Sequence, residues 1–237
     1  MKLSIIIAAY REEATVGEVL RRVLALDLSA LSVEIEVLLC DDGSDDGTRD
    51  VALAVARTDA RLRVIGLPRR SGKSAAIRRA LMDATGDYTL IQDADLEYDP
   101  ADYPRLLEPV VRRGAAIVYG SRFLDRRWPE GMRLPNWIVN RLLAWLANLL
   151  YGSAITDEAT CFKLFRTDLL RSFRLECQRF AFCPEVTAKA GLAGIRIVEA
   201  PVRYRARRHG AGKKIRLTDG IEAIWTLLRF RLRRGAR

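Results

Sequence analysis

Tyr88-Thr89-Leu90-Ile91-Gln92-Asp93-Ala94-Asp95-Leu96-Glu97 is a short apolar run that stops on two carboxylates one residue apart. Residues 88–92 have the length and apolar content of a buried strand. Working outward, helical periodicity precedes this strand over 74–84 and follows it over 101–113. The same alternation fills the first half of the chain, with strands over 3–8, 34–40, 61–67 and 115–119 and helices over 13–26 and 46–57. This βαβα order implies an α/β fold, a largely parallel, doubly wound sheet with helices on both faces.

Ligands of such sheets bind beyond the carboxyl ends of the strands, so the strand-end residues carry the functional reading. After the first strand come Ala8, Ala9, Tyr10, Arg11 and Glu12. The second is followed by Asp41-Asp42-Gly43-Ser44-Asp45-Asp46-Gly47-Thr48, the fourth by Asp93-Ala94-Asp95-Leu96-Glu97 and the fifth by Gly120-Ser121-Arg122. Two unit charges ~4 Å apart repel by about 4 kcal/mol at an effective dielectric of ~20, so the pair Asp93 and Asp95 calls for a cation. Hard divalent ions take oxygen ligands, and Mg²⁺ is commonly held by one or two carboxylates plus substrate phosphates. Asp93 and Asp95, with Glu97 as third ligand, therefore suit Mg²⁺ or Mn²⁺ beside a nucleotide diphosphate. The alternative is an acidic strand-to-helix loop whose Asp residues cap the next helix.

Asp42 admits two readings, turn chemistry or an acceptor for a nucleobase or ribose at the sheet edge. Tyr10 and Glu12 belong to the same edge. Ser71-Gly72-Lys73-Ser74 has the ending of a phosphate-binding P-loop, but five residues rather than four separate Gly66 from Gly72, which argues against one. Lys73 still suits a place near phosphates. Arg122 and the basic, Gly-containing segment 203–214, with Arg207 and Lys213, are anion candidates; the segment also reads as a solvated loop. The single histidine, His209, has no partner that would give it a role.

Beyond Arg122 the alternation fails. A Trp- and Pro-containing loop leads to an amphipathic stretch over 134–151, a strand over 160–165, helices near 167–173 and 184–193, and short strands over 195–199 and 202–205. No linker separates the halves, so the second is read as an elaboration of the same sheet. Residues 221–232 place Ile221, Ile224, Trp225, Leu228 and Leu232 on one helical face and run on into arginines. Both amphipathic stretches fit a helix packed on its own core or a membrane-interface helix. Neither approaches the ~18 uninterrupted apolar residues of a spanning segment.

Composition narrows the class. A chain of 237 residues, 49% hydrophobic and 30% charged, is neither disordered, collagenous nor a disulfide-stapled miniprotein. Its 40 basic and 30 acidic residues give +10, which suits an anionic partner, whether nucleic acid, an acidic membrane surface or a phosphorylated substrate. The excess is mostly Arg, as a GC-rich genome would also produce. No aromatic stacking platform, helix-turn-helix or OB pattern accompanies the charge, so nucleic acid is not the expected partner. Four scattered cysteines and one His exclude a structural zinc site and suit a reducing cytoplasm. The N-terminus enters a strand after one Lys without a signal-peptide pattern, and a cytoplasmic protein is expected.

Taken together, A-x-Y-x-E after the first strand, DDGSxDGT after the second, DADLE after the fourth, GSRF after the fifth, Thr160-Cys161-Phe162-Lys163-Leu164-Phe165-Arg166 and Gly212-Lys213-Lys214 resemble the family 2 glycosyltransferases. Within these the chain looks most like the dolichol-phosphate mannose synthase and polyprenyl-phosphate glycosyltransferase branch. The resemblance implies a GT-A, Rossmann-like, mostly parallel sheet flanked by helices, with a C-terminal amphipathic helix. Its divisions would be a nucleotide-sugar half over 1–122, an acceptor half over 123–216 and a basic amphipathic helix over 217–237.

The resemblance further implies inverting, metal-dependent transfer of a sugar from GDP-mannose or a UDP-hexose to a polyprenyl or dolichyl phosphate. Ala8, Tyr10, Glu12, Cys40 through its backbone, and Asp42 would line the nucleotide pocket. Asp93, Ala94, Asp95 and Glu97 would form the metal and diphosphate site, with Mg²⁺ or Mn²⁺ as cofactor. Arg122, Arg207 and Lys213 would bind phosphates, and Asp93, Asp95 and Arg122 would carry the catalysis. The chain departs from the family in having Ala8 for Pro, Gly212 for Ser and Ser74 for Gly.

A phosphate monoester with a second pKa near ~6 is already mostly dianionic at pH 7, so it needs no catalytic base. A soluble saccharide acceptor would need one, and Asp157 or Glu158 would be the candidate. A lipid acceptor places the protein peripherally on an anionic membrane at its cytoplasmic face, held by its amphipathic segments or by a membrane-anchoring partner protein.

Overall fold

The computed structural model describes residues 1–206 and 217–235. The strands are β1 (Lys2–Ala9), β2 (Glu34–Asp41), β3 (Leu62–Gly66), β4 (Tyr88–Asp93), β5 (Ile117–Ser121), β6 (Lys163–Arg166) and β7 (Val198–Pro201). They form one seven-stranded sheet in the order β3-β2-β1-β4-β6-β5-β7. Every pairing is parallel except those of β6, which runs antiparallel to both β4 and β5.

Helices α1 (Glu13–Leu24), α2 (Thr48–Ala56), α3 (Lys73–Asp83) and α4 (Tyr103–Arg113) alternate with the first strands; α5 (Leu134–Tyr151), α6 (Thr167–Ser172), α7 (Phe182–Leu192) and α8 (Leu217–Gly235) complete the fold. Because both faces of the sheet are covered, β1 is an apolar run rather than an alternating one. Leu3, Ile5 and Ile7 pack with Val16, Val19 and Leu20 of α1 and Leu106 and Leu107 of α4. Ile6 points the other way, into a core shared with Ile77 of α3, Leu143 of α5, Val186 of α7 and Leu227 of α8. Each fully buried Ile or Leu of this kind contributes roughly 1.5–3 kcal/mol.

The amino-terminal end of the sheet is fastened by one carboxylate. Glu36 of β2 accepts hydrogen bonds from the Ser4 hydroxyl at 2.5 Å and from the Thr85 amide and hydroxyl at 2.6 and 2.9 Å, with the Lys2 ammonium 3.1 Å away. Burial opposes its ionisation, but these donors prevail and hold its pKa at about 2.

The second half departs from the sequence expectation in two places. The strand expected over 160–165 begins at Lys163 and inserts between β4 and β5, with Leu164 opposite Leu90 on one side and Val118 on the other. The strand expected over 202–205 is not a ladder strand: its contacts are single bridges, Tyr98 with Tyr204 and Glu130 with Arg205. Its amides are taken elsewhere, Arg203 N–H by the Asp102 carboxylate at 2.6 Å and Arg205 N–H by the Glu97 carbonyl at 2.9 Å.

The amphipathic face read over 221–232 also differs from a core-packing face. Ala223, Leu227 and Phe230 are the buried apolar residues described in α8, whereas Ile221, Trp225 and Leu232 are exposed. On α5, which packs against α8, Leu134, Ile138, Leu142, Trp145 and Leu149 are exposed as well. No described helix is long and apolar enough to cross a membrane.

Candidate active site

Strand register brings the first site residues side by side. Ala8 near the end of β1 lies opposite Cys40 of β2 on one edge and Asp93 of β4 on the other. The Cys40 thiol is buried and its pKa is pushed up to about 12 by that burial, so it stays protonated. Just beyond β1, the Tyr10 ring carries the Arg70 guanidinium 4.5 Å from its centroid. The Thr15 hydroxyl lies 2.9 Å from both Glu12 Oε2 and the Ala94 carbonyl and shares its one proton between them, so the start of α1 is tied to the Asp93-Ala94-Asp95 loop.

Asp42 faces the loop between β3 and α3. Its two carboxylate oxygens accept the Ser71 and Gly72 amides at 2.7 and 2.8 Å. Burial nevertheless outweighs these bonds and raises its pKa. Gly72 is required there: its φ is +97°, and a Cβ would stand 2.6 Å from Arg179 Cα. Ser74, the departure from the family's Gly, donates through both its amide and its hydroxyl to the Arg179 carbonyl, at 2.8 and 2.9 Å. Loop amides that a P-loop would turn to phosphate are thus held by Asp42, in agreement with the spacing argument.

The turn delivers Lys73 to the end of β4. Its ammonium donates to Asp93 Oδ1 and, at 3.1 Å, to Cys161 Sγ. Burial would lower the pKa of this lysine; the adjacent Asp93 carboxylate reverses the effect and holds it well above its ordinary value. Asp95 Oδ1 accepts the Glu97 amide at 3.1 Å, and Glu97 Oε2 accepts the Tyr204 hydroxyl at 3.1 Å. The Tyr204 phenol is itself raised by burial and by Glu97, so it acts as a donor.

Arg122, just past β5, is buried rather than open. It makes two bonds to Asp157, Nε to Oδ2 at 2.6 Å and Nη2 to Oδ1 at 2.7 Å, and a third to Asn140 Oδ1 at 3.1 Å. Asp157 is fully buried. Glu158 is also fully buried, with Oε1 accepting from Thr187 at 3.3 Å and Oε2 lacking a hydrogen-bond partner among the described residues. Burial raises its pKa.

The structure therefore gathers Ala8, Tyr10, Glu12, Cys40, Asp42, Asp93, Ala94, Asp95 and Glu97 at the ends of β1, β2 and β4. Arg207, Lys213, Gly212 and His209 lie outside the described residues. Sequence reasoning did not anticipate the pairing of Lys73 with Asp93, that of Arg122 with Asp157, or any role for Tyr204. The order of residues along the chain carries no signal for contacts 20, 35 and 107 residues apart.

The mostly parallel sheet with an Asp-Ala-Asp loop beyond a central strand agrees with the GT-A glycosyltransferase fold that the sequence motifs imply. Residues 4–174 match the family described as Glycosyl transferase family 2, and the chain belongs to that family.

Among its relatives is the dodecaprenyl-phosphate galacturonate synthase of Rhizobium johnstonii, 27% identical over 99% of this chain and 70% of that one. The undecaprenyl-phosphate mannosyltransferase of Micrococcus luteus is 31% identical, with 84% of this chain and 88% of that one covered. The dolichol-phosphate mannosyltransferase of Pyrococcus furiosus is 27% identical over 90% of this chain, which spans 59% of that enzyme.

Among solved structures, glucosyl-3-phosphoglycerate synthase of Mycobacterium tuberculosis shares the fold. Its complex with Mn²⁺, uridine diphosphate and glucosyl-3-phosphoglycerate has a TM-score of 0.68 at 24% identity, covering 97% of this chain and 79% of that one. The complex with Mg²⁺ and uridine diphosphate has a TM-score of 0.71 at 22% identity, with the same coverage. The GT-A-like fold implied by the sequence motifs is the one found.

Proposed function

We propose that this glycosyltransferase moves a sugar from a nucleotide-diphosphate sugar to a polyprenyl phosphate, with inversion, at the cytoplasmic face of a membrane. The carrying observation is the collection of carboxylates Asp42, Asp93, Asp95 and Glu97 on one sheet edge, in a chain similar over at least 84% of its length to three enzymes named for polyprenyl- or dolichol-phosphate substrates.

The donor set suits a hard divalent ion. Asp93, Asp95 and Glu97 offer carboxylate oxygens, but among the described residues no three His, Cys, Asp or Glu are grouped so as to hold a metal ion by themselves, so the ion would depend on oxygens of the nucleotide diphosphate. An open site whose remaining ligands come from the diphosphate fits Mg²⁺ or Mn²⁺. Bound there, the ion would neutralise charge on the departing nucleotide diphosphate. The chain's own contribution is placement: Asp42 shapes the loop that presents Lys73, and Lys73 adds a second positive charge beside Asp93.

Arg122, with Arg207 and Lys213, is the proposed phosphate-binding set. A dianionic phosphate acceptor attacks without a base, and the burial of the alternative base supports this reading: Asp157 is occupied by Arg122 and Glu158 has no exposed surface. The exposed apolar residues of α5 and α8 and the nearby arginines give the proposed contact with anionic lipid, each arginine near such a surface contributing about 1 kcal/mol. Four free cysteines suit the cytoplasmic side.

A panel of radiolabelled nucleotide sugars with polyprenyl phosphate and Mg²⁺ or Mn²⁺ tests the proposal. The expected result is chloroform-extractable label from one donor and a loss of about a hundredfold or more in Asp95→Ala, the scale of removing several kcal/mol of charge stabilisation. Full activity in the presence of chelator refutes the metal assignment, and label in a water-soluble saccharide refutes the acceptor. Sedimentation with anionic vesicles should weaken as salt is raised.

A further inference from the structure

Tyr204 stands where three parts of the site meet. Its hydroxyl donates to Glu97 Oε2 at 3.1 Å, its ring lies 5.1 Å from the Arg122 guanidinium carbon, and its edge packs on Tyr98, with ring centroids 5.4 Å apart. The backbone around it repeats the attachment: Arg205 N–H donates to the Glu97 carbonyl and Tyr98 bridges Tyr204. Arg122 is fixed from behind by Asp157, and the Glu97 amide is bonded to Asp95. A continuous chain of contacts therefore runs from Asp157 through Arg122, Tyr204 and Glu97 to Asp95. The phenyl ring accounts for the packing; the hydroxyl adds nothing to it except the bond to Glu97.

We propose that Tyr204 is a positioning residue, whose hydroxyl holds the Glu97 carboxylate in one orientation at the end of the Asp93-Ala94-Asp95 loop while its ring seats the Arg122 guanidinium. This assignment rests on the proposed function, because it takes Glu97 to face the metal and diphosphate. A carboxylate held in one rotamer binds a cation without first giving up side-chain freedom. Phenylalanine keeps the ring and loses the tether.

The test is calorimetric titration of Mn²⁺ with uridine diphosphate and, separately, with guanosine diphosphate into the full chain and into Tyr204→Phe, Glu97→Ala and the double variant. Tyr204→Phe should weaken Mn²⁺-dependent nucleotide binding about three- to tenfold, the scale of one hydrogen bond, lower the melting temperature by no more than a few degrees and leave metal-free nucleotide binding unchanged. In the Glu97→Ala background the same change should cost nothing further, because the bond has lost its acceptor. In turnover the loss should appear in the donor KM with kcat retained.

Tyr204→Leu, which also removes the ring, should lower the melting temperature further than Tyr204→Phe does. Equal binding by wild type and Tyr204→Phe, or an undiminished loss in the Glu97→Ala background, overturns the assignment alone. A wild-type chain that binds neither nucleotide with Mn²⁺ overturns the proposed function and this inference together.

Discussion

Glu36 and Asp42 sit on the same strand or just past it, at opposite ends of the sheet, and their environments push them in opposite directions. Glu36 has four donors and is held at about pH 2, well below an ordinary carboxyl. Asp42 is just as hidden from solvent, accepts two amides, and is raised. The amino-terminal end of the sheet thus spends its carboxylate on cohesion, whereas the carboxyl-terminal end keeps one that folding alone does not reward. Polar groups placed where they do not improve stability are characteristic of sites that meet a ligand.

Asp157 is the sharpest test of that contrast, because it lies on the ligand side yet is buried against Arg122. Asp157→Ala leaves a buried guanidinium uncompensated and should cost about 3–5 kcal/mol in urea denaturation. A loss below about 1 kcal/mol would mean that Arg122 turns out to solvent and that the pair is not a structural one. Replacing both residues with Leu and Met should recover most of the stability, since apolar pairs of similar volume substitute well for buried ion pairs.

Glu36→Gln should come next, losing about 2 kcal/mol at pH 7 while transfer activity is unchanged. The depressed pKa gives a sign to the acid limb: the stability that Glu36 contributes is present above its unperturbed value of 4.5 and disappears as pH falls toward about 2. The gap between wild type and variant should therefore stay constant above that range and close within it.

Asp42→Asn should have the smallest effect on folding, under about 1 kcal/mol, since it removes a charge that burial disfavours and keeps one acceptor for the loop. Its effect should instead appear in donor KM, raised about tenfold, the equivalent of roughly 1.4 kcal/mol. A large stability loss with unaltered KM would make Asp42 another Glu36 and dissolve the contrast.

The N-terminal half was legible because each element there is decided locally. The apolar run of β1 and the helical spacing of α1 need no knowledge of distant residues, and the strand-end rule then gathers Tyr10, Asp42 and Asp93. The second half was less legible because its elements are decided by partners. Lys163–Arg166 is four residues long, too short to reveal direction, and what makes it antiparallel is the space between β4 and β5. The run 202–205 has strand composition, but Asp102 and Glu97 capture its amides. At the site, residue types and their edge were readable; which charges are already matched was not. Arg122 reads as a cation at a strand end; that Asp157 already accepts two of its guanidinium hydrogen bonds is visible only in the structure.

The insertion of β6 has a consequence for how the chain is made. Strand β5 reaches β4 only through β6, so while residues 163–166 remain in the ribosome the earlier four-stranded layer has an uncovered margin at β4, and β5, though packed on α4, has no strand to pair with. The nascent protein must wait for a late, short segment to arrive and close the gap, a delay during which chaperone capture competes with completion.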